Sequence, residues 1–114
     1  MTVSILKQRE YLIASIQSAL TDSEVIELRD ALVREVARHR ARGVIVDVAA
    51  LDVIDSFVSR SLSAVARTNT LRGARTVVVG IQPDVAAAMS LFGLRLDAIE
   101  TALDLEAGLE LLDG

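Results

Sequence analysis

The chain begins with two short apolar runs that are typical of strands. They cover residues 3–7 and 11–17, and the polar tripeptide Gln8-Arg9-Glu10 between them indicates a β-hairpin. After residue 24 the apolar positions recur at steps of three and four residues, which is the period of a helix face. These positions are Val25, Leu28, Leu32 and Val36. A hairpin followed by an amphipathic helix is therefore predicted.

Both ends of this first helix carry recognisable signals. Thr21 and Glu24 have the spacing of a capping box. Acidic residues occupy the first turns, and Arg38, Arg40 and Arg42 follow at the other end, an order that complements the helix dipole. Gly43 is the expected stop, since glycine readily adopts the backbone conformation that ends helices.

The rest of the chain alternates between strands and helices. Residues 44–48 and 76–81 are apolar runs of strand length, as expected for strands covered on both faces. One helix is predicted from near Ser56 to Gly73, and another from Pro83 to Phe92-Gly93. Residues 96–100 suggest a short edge strand. Thr101 or Asp104 is expected to cap a last helix, whose Leu105, Leu109 and Leu112 share one face.

These elements predict a single α/β domain over residues 1–114, in the order ββαβαβα(β)α. Alternating strands and helices favour parallel strand pairing with right-handed crossovers. The hairpin adds one antiparallel pair. The expected architecture is a mixed β-sheet flanked by α-helices.

Composition narrows the classes of function. Net charge is −4 and the pI is about 4.9, which argues against binding nucleic acid. Without cysteine, disulfides and thiolate chemistry are excluded. The first residues carry charges too early for a secretory signal, and no apolar run approaches the roughly 18 residues of a membrane span. The sequence therefore predicts a cytoplasmic protein that does not bind membranes.

Recognisable catalytic motifs are absent from the sequence. It contains no phosphate-binding loop, dinucleotide fingerprint or nucleophile elbow, and we expect neither a catalytic residue nor a cofactor. The single histidine, His39, is interpreted as a solvated cation near a helix end. Asp47, Asp52 and Asp55 could form a magnesium site at the strand rim, but turn and capping roles explain them as well. We predict no metal.

Ser56 is the main candidate for a regulatory residue. With Asp55 as cap, its hydroxyl would lie in the first helical turn, although serine is common there without any further role. A phosphate on Ser56 would add a charge of roughly −1.5 to −2 beside free backbone N–H groups. Asp52 and Asp55 would oppose that charge. The predicted effect is a changed surface potential on an unchanged fold.

Four stretches together resemble the STAS domains of bacterial stressosomes, of the small antagonist type called RsbS. They are ILK (5–7), GVIVDVAALDVIDSF (43–57), GIQPDVA (80–86) and IETALDLEAGLELL (99–112). They occur in the expected order, and the likeness covers nearly the whole chain.

The resemblance implies a scaffold subunit that assembles with sensor-bearing STAS paralogues of the RsbR type. In such complexes a serine/threonine switch kinase of the RsbT type is sequestered. Phosphorylation releases the kinase to activate stress signalling, and a phosphatase resets the serine. By position the phosphoacceptor is Ser56, with Ser59 as a secondary candidate. The residues expected to form the partner-binding rim are Asp52, Asp55, Phe57 and Arg60.

Three other functions compete with this one. A free-standing anti-anti-sigma factor would bind an anti-sigma kinase directly; the residues Phe57 and Val58 after the serine instead favour the stressosome type, because simpler antagonists have a small residue and glycine there. A small-molecule-binding module would use the same rim for a ligand. An enzyme is disfavoured, since no nucleophile–base pair is recognisable.

Overall fold

The computed structural model of the protein describes residues 3–114. Its elements are β1 (Val3–Gln8), β2 (Tyr11–Ile16), α1 (Asp22–His39), β3 (Gly43–Asp47), α2 (Ser56–Leu71), β4 (Arg75–Val79), α3 (Pro83–Leu91), β5 (Glu100–Ala102) and α4 (Leu105–Asp113). This order confirms the predicted α/β class and the succession of strands and helices.

The strands form one mixed sheet in the order β1-β2-β3-β4-β5. β1 pairs antiparallel with β2 through a tight turn closed by Gln8 and Tyr11, which confirms the predicted hairpin. β2, β3, β4 and β5 run parallel to one another. Because parallel strands end at the same edge, the loops that follow β3 and β4 meet at one rim of the sheet.

The sheet is covered by helices on both faces. Val44 and Val46 point into a core shared with α1, α2 and α3, whereas Ile45 points to the opposite face, where α4 packs. All three side chains are 0% exposed. The apolar run of β3 thus serves two cores, because successive side chains of a strand point to opposite faces.

Gly43 does not end α1, so that prediction is wrong. The helix ends at His39, and Arg40 takes the left-handed conformation with φ of 50°. Gly43 is instead the first residue of β3. A Cβ at Gly43 would lie 2.8 Å from a methyl carbon of Leu112 on α4, so the glycine is explained by close packing against that helix.

The predicted edge strand at residues 96–100 is also wrong in position. β5 covers Glu100–Ala102, and the pairing with β4 begins only where Glu100 lies beside Val77. Ala98 has a positive φ of 64°, which interrupts an extended conformation just before β5. Glu100 accepts two hydrogen bonds from the Arg75 guanidinium, at 2.9 and 2.7 Å, which fasten β5 to β4.

The predicted helix caps are largely confirmed. Thr21 and Glu24 form a complete capping box at α1. Asp104, and not Thr101, caps α4 by accepting a hydrogen bond of 2.9 Å from the Ala107 amide. Thr101 lies within β5.

The end of α4 is attached to the hairpin through Tyr11. The Tyr11 hydroxyl donates a 2.6 Å hydrogen bond to the Asp113 carboxylate, and the Arg9 guanidinium lies 3.3 Å from the other oxygen. The hydrogen bond to Tyr11 holds the pKa of Asp113 below its usual 3.8. It also raises the pKa of Tyr11, because the phenol donates to an anion.

We expect Tyr11→Phe to lower the free energy of unfolding, and the loss to depend on pH. A carboxyl group with a lowered pKa stabilises the fold above its usual pKa of 3.8 and loses that effect as the pH falls through its lowered value. The difference between Tyr11→Phe and wild type should therefore be full at neutral pH and shrink in acid. Urea unfolding at a series of pH values measures it. A difference that stays constant down to strongly acidic pH would contradict the assignment.

Candidate functional site

The segment between β3 and α2 is held to the core by regularly placed apolar side chains. Val48, Leu51 and Ile54 are buried, while the residues between them are exposed. Asp47 ends β3, and its carboxylate accepts a 2.9 Å hydrogen bond from the Ala49 amide. A loop fixed in this way presents its polar residues at the sheet rim in a defined conformation.

Asp55 caps α2, as the sequence predicted. Its backbone is extended, and one carboxylate oxygen accepts a hydrogen bond of 2.9 Å from the Val58 amide. A cap of this kind contributes about 1 kcal/mol to stability. It satisfies only one of the backbone donors that a helix leaves free at its amino end.

Ser56 is the first residue of α2 and is exposed. Its position beside the cap places the hydroxyl next to the positive end of the helix dipole, where added negative charge is favoured. Leu62 and Val65, two and three turns further on, are buried and hold the helix on the sheet. A group added to Ser56 would therefore lie on a helix that is already packed against the sheet.

Ser56 lies at one side of an apolar groove of about 360 Å³. One wall is the loop before α2, and the other is α3 with Phe92 and Leu94, which follow it. Phe92 is 73% exposed and Val53 71% exposed, so large apolar surfaces face solvent here. The lining residues are Asp52, Val53, Ile54, Asp55, Ser56, Val85, Ala88, Met89, Phe92 and Leu94.

Gln82 joins the two loops that frame the groove. Its side-chain amide donates to the Ala49 carbonyl at 2.8 Å and approaches the Asp52 carboxylate at 3.4 Å. Nearby, Gly80 has a φ of 79°, and a Cβ there would lie 3.0 Å from the Cβ of Ala49. Glycine is needed at this position because of both its backbone conformation and its close neighbour.

The expected rim residues separate into two groups. Asp52 and Asp55 line the groove with Ser56, whereas Phe57 and Arg60 do not. Phe57 is partly buried and Arg60 is exposed on α2, one turn beyond Ser56.

The serines around Ser56 differ from it in exposure. Ser59 is 2% exposed and its hydroxyl has no hydrogen-bond partner within residues 3–114, while Ser61 is 7% exposed. A kinase must reach the hydroxyl that it modifies. Burial therefore favours Ser56 over Ser59.

The acidic residues at the rim do not gather into a metal-binding group. Within residues 3–114, no three carboxylate or histidine side chains are arranged so that they could hold a metal ion. Asp47, Asp55 and Asp52 are instead directed to an amide in the loop, the helix cap and Gln82 respectively. The turn and capping roles weighed against magnesium are therefore seen for Asp47 and Asp55, whereas Asp52 contacts Gln82.

The α3 wall of the groove was missed by the sequence reasoning. Periodicity marks Val85 and Met89 as core positions, which they are, but it does not indicate that Phe92 stays exposed. Phe92 is one of three aromatic residues in the chain. A scarce aromatic at a helix end was the only available signal.

The fold that carries this rim is shared with known proteins. The family model of the STAS domain matches residues 2–107. The chain belongs to the STAS family. Its fold also matches a solved serine-to-glutamate variant of RsbS from Moorella thermoacetica, with 34% identity, a TM-score of 0.84, and coverage of 99% of this chain and 96% of that one.

A chain from a stressosome structure and a protein of Bacillus subtilis are also similar to this chain. A chain in a structure of the stressosome, described as a signal integration and transduction hub, is 32% identical with a TM-score of 0.75, and 96% of each chain is covered. The RsbT co-antagonist protein RsbRA of Bacillus subtilis is 25% identical over 83 residues. That match covers 73% of this STAS chain but only 30% of RsbRA. The resemblance to stressosome STAS domains is confirmed.

None of the helices in residues 3–114 has both the length and the apolar character needed to cross a bilayer.

Proposed function

We propose that this STAS protein is a phosphorylatable, non-catalytic scaffold subunit of a cytoplasmic stressosome. It binds a serine/threonine switch kinase of the RsbT type and releases it when Ser56 is phosphorylated. Sensor-bearing STAS proteins of the RsbR type are its partners in the complex, and a phosphatase restores the serine. The freed kinase then acts in a stress-response cascade.

One observation carries the proposal: Ser56 is exposed at the amino end of a packed helix and lines an apolar groove. The groove has exposed Phe92 and Val53, which suit docking of another protein. A modification at Ser56 would therefore occur within the surface that a partner covers. The similarity to RsbS over nearly the full length supports the same role.

The chemistry required is a single phosphoryl transfer. The Ser56 oxygen attacks the γ-phosphorus of ATP, the bond to the β-phosphate oxygen breaks, ADP leaves, and the hydroxyl proton passes to a base on the kinase. The chain supplies only the acceptor oxygen. The new phosphate of about −1.5 to −2 lies among Asp52 and Asp55, so the rim becomes strongly anionic.

Release then follows from electrostatics and desolvation. A kinase surface complementary to the apolar groove would have to bury a phosphate against that surface, which is costly without a basic partner. Because α2 is capped by Asp55 and packed through Leu62 and Val65, the fold does not need to change. The switch acts through the surface alone.

The proposed assembly with other STAS proteins is supported by the similarity of this chain to known proteins. Similarity to a chain within a stressosome and to an RsbR-type protein supports a place among STAS paralogues. Copurification with sensor-bearing STAS proteins in a large particle is expected. Copurification with an anti-sigma kinase alone would favour a free-standing antagonist instead.

We expect the cognate kinase with ATP to add one phosphate to the wild-type chain and none to Ser56→Ala. Intact-mass spectrometry measures the number of phosphates directly. Ser59→Ala is the matched control and should still gain one phosphate, because Ser59 is buried. An equal phosphate count in Ser56→Ala and wild type would remove Ser56 from the mechanism.

A further inference from the structure

Arg60 has no role in the groove beside Ser56, although the sequence predicted it to belong to the partner-binding rim. It does not line the groove. Its side chain is exposed on α2, and it forms no ion pair among the described residues 3–114. An exposed cation without a partner is common on protein surfaces, so its neighbours in the sequence and on the helix must show whether it has a function.

The sequence around Arg60 is otherwise free of positive charge. Arg60 is the only basic residue within residues 43–66, and this stretch contains the two acids next to Ser56, Asp52 and Asp55. Neither acid forms an ion pair with Arg60. Any anion added at Ser56 would therefore have Arg60 as its nearest cation along the chain.

The helix places Arg60 on the same side as Ser56. The two residues are four positions apart in α2, so Arg60 lies one turn further along one face, and both side chains are exposed. Residues at this spacing have their Cβ atoms about 5–6 Å apart, and an acidic group that precedes a basic one is the more favourable order. A phosphate on Ser56 would thus be within reach of the Arg60 guanidinium without any change in the helix.

The other serines of α2 do not share this arrangement. Ser63 and Arg67 have the same spacing, but Ser63 is 3% exposed and its hydroxyl accepts a 3.0 Å hydrogen bond from the Asp97 amide. Ser59 and Ser61 are buried, and no basic residue follows either of them by four positions. Among the serines of this helix, only Ser56 combines exposure with a basic residue one turn further on.

We propose that Arg60 holds the phosphate of phosphorylated Ser56 by paired hydrogen bonds from its guanidinium across one turn of α2. The inference rests on the proposed phosphorylation of Ser56 and adds what the chain itself does with the new group. Arginine suits the task because its planar fork of donors matches two phosphate oxygens. Arg60 is thus a positioning residue, which fixes the phosphate at the edge of the groove.

This contact does not cancel the negative charge of the modified rim. The phosphate adds a charge of roughly −1.5 to −2 beside Asp52 and Asp55, whereas Arg60 contributes a single positive charge. The rim therefore stays anionic, and the proposed expulsion of the kinase is preserved. The contact with Arg60 changes the position of the phosphate and its affinity for protons, but not the sign of the charge at the rim.

The second pKa of the Ser56 phosphate measures this contact, because a nearby cation favours the dianion and lowers that pKa. Phosphoserine is incorporated at position 56 during translation of the full chain, so the test does not depend on the kinase. The ³¹P chemical shift is then followed as a function of pH. We expect the pKa to be about 0.5 higher in Arg60→Gln than in the chain that keeps Arg60.

Two further variants show whether residue 60 itself is responsible. Arg67→Gln removes the same charge from the same helix, about two turns further from Ser56, and should leave the pKa unchanged. Arg60→Lys keeps the charge but not the fork, so it should recover about half of the difference. The helix dipole acts on the phosphate in every variant, so the differences among them report the side chain that was changed. Both positions are exposed, so the fold should be retained.

An equal phosphate pKa in Arg60→Gln and in the chain with Arg60 would overturn the proposal. A rise of the same size in Arg67→Gln would overturn it too, because it would show a general effect of charge. Phosphate incorporation into the unmodified chain by the kinase tests the proposed function separately. Its failure would leave the pKa difference in place, so the two failures can be told apart.

Discussion

Ser56→Glu is expected to weaken binding of the switch kinase about fifty-fold, or ~2.3 kcal/mol, without changing the fold. The added carboxylate lies at the edge of the apolar groove and next to two acids already present, Asp52 and Asp55. A docked kinase would have to desolvate it without gaining a matching partner. The helix itself should tolerate the change, because a negative charge in the first turn interacts favourably with the helix dipole.

Isothermal titration of the kinase with each variant measures this loss. Ser23→Glu is the matched control, since Ser23 is an exposed serine in the first turn of α1 and the charge change is identical. It should bind the kinase like wild type. Equal affinity of Ser56→Glu and Ser23→Glu would contradict the proposed role of Ser56.

Phe92→Ala is expected to weaken kinase binding about thirty-fold, or ~2 kcal/mol, because aromatic side chains at the centre of an interface carry much of the binding energy. Phe92 is 73% exposed and lines the same groove as Ser56. Its removal should scarcely affect the free energy of unfolding, since most of its ring contacts solvent and not the core.

Leu71→Ala is the control for lost apolar surface. Leu71 is 89% exposed but ends α2 at the opposite end from Ser56. Binding by titration and unfolding by urea should both remain near wild type. If Phe92→Ala binds as tightly as Leu71→Ala, the groove is not the docking surface.

The parts of the fold that depend on local pattern were predictable from the sequence. The run at residues 44–48 indicated a strand covered on both faces, and Val44, Ile45 and Val46 are indeed fully buried. The capping box at Thr21 and Glu24 marked the start of α1. These features are encoded within a few neighbouring residues, so no tertiary information was needed.

The errors arose where distant packing decides the local structure. Gly43 looked like a helix stop, but its lack of a side chain accommodates Leu112, which is far away in sequence. The apolar residues Leu96 and Ile99 suggested a strand, yet they pack on the core from a loop that Ala98 bends. A pattern of apolar residues indicates burial, but it does not specify the conformation in which the residues are buried.

The candidate site was predictable in chemistry but not in shape. Asp55 and Ser56 follow from their position before an apolar helix, and the cap has the expected geometry. The wall formed by α3 depends on how two loops meet at the rim, where Gln82 connects them. The two residues in that contact are 33 positions apart, so a pattern of neighbouring residues in the sequence does not predict it.

The most direct test begins with a preformed complex of the unmodified chain and its kinase, to which ATP and magnesium are added. Release of the kinase and phosphate on Ser56 are followed together, by light scattering and by intact mass. We predict that release keeps pace with phosphorylation, and that a complex made with Ser56→Ala stays intact. A kinase that remains bound to the fully phosphorylated chain would contradict the proposed switch.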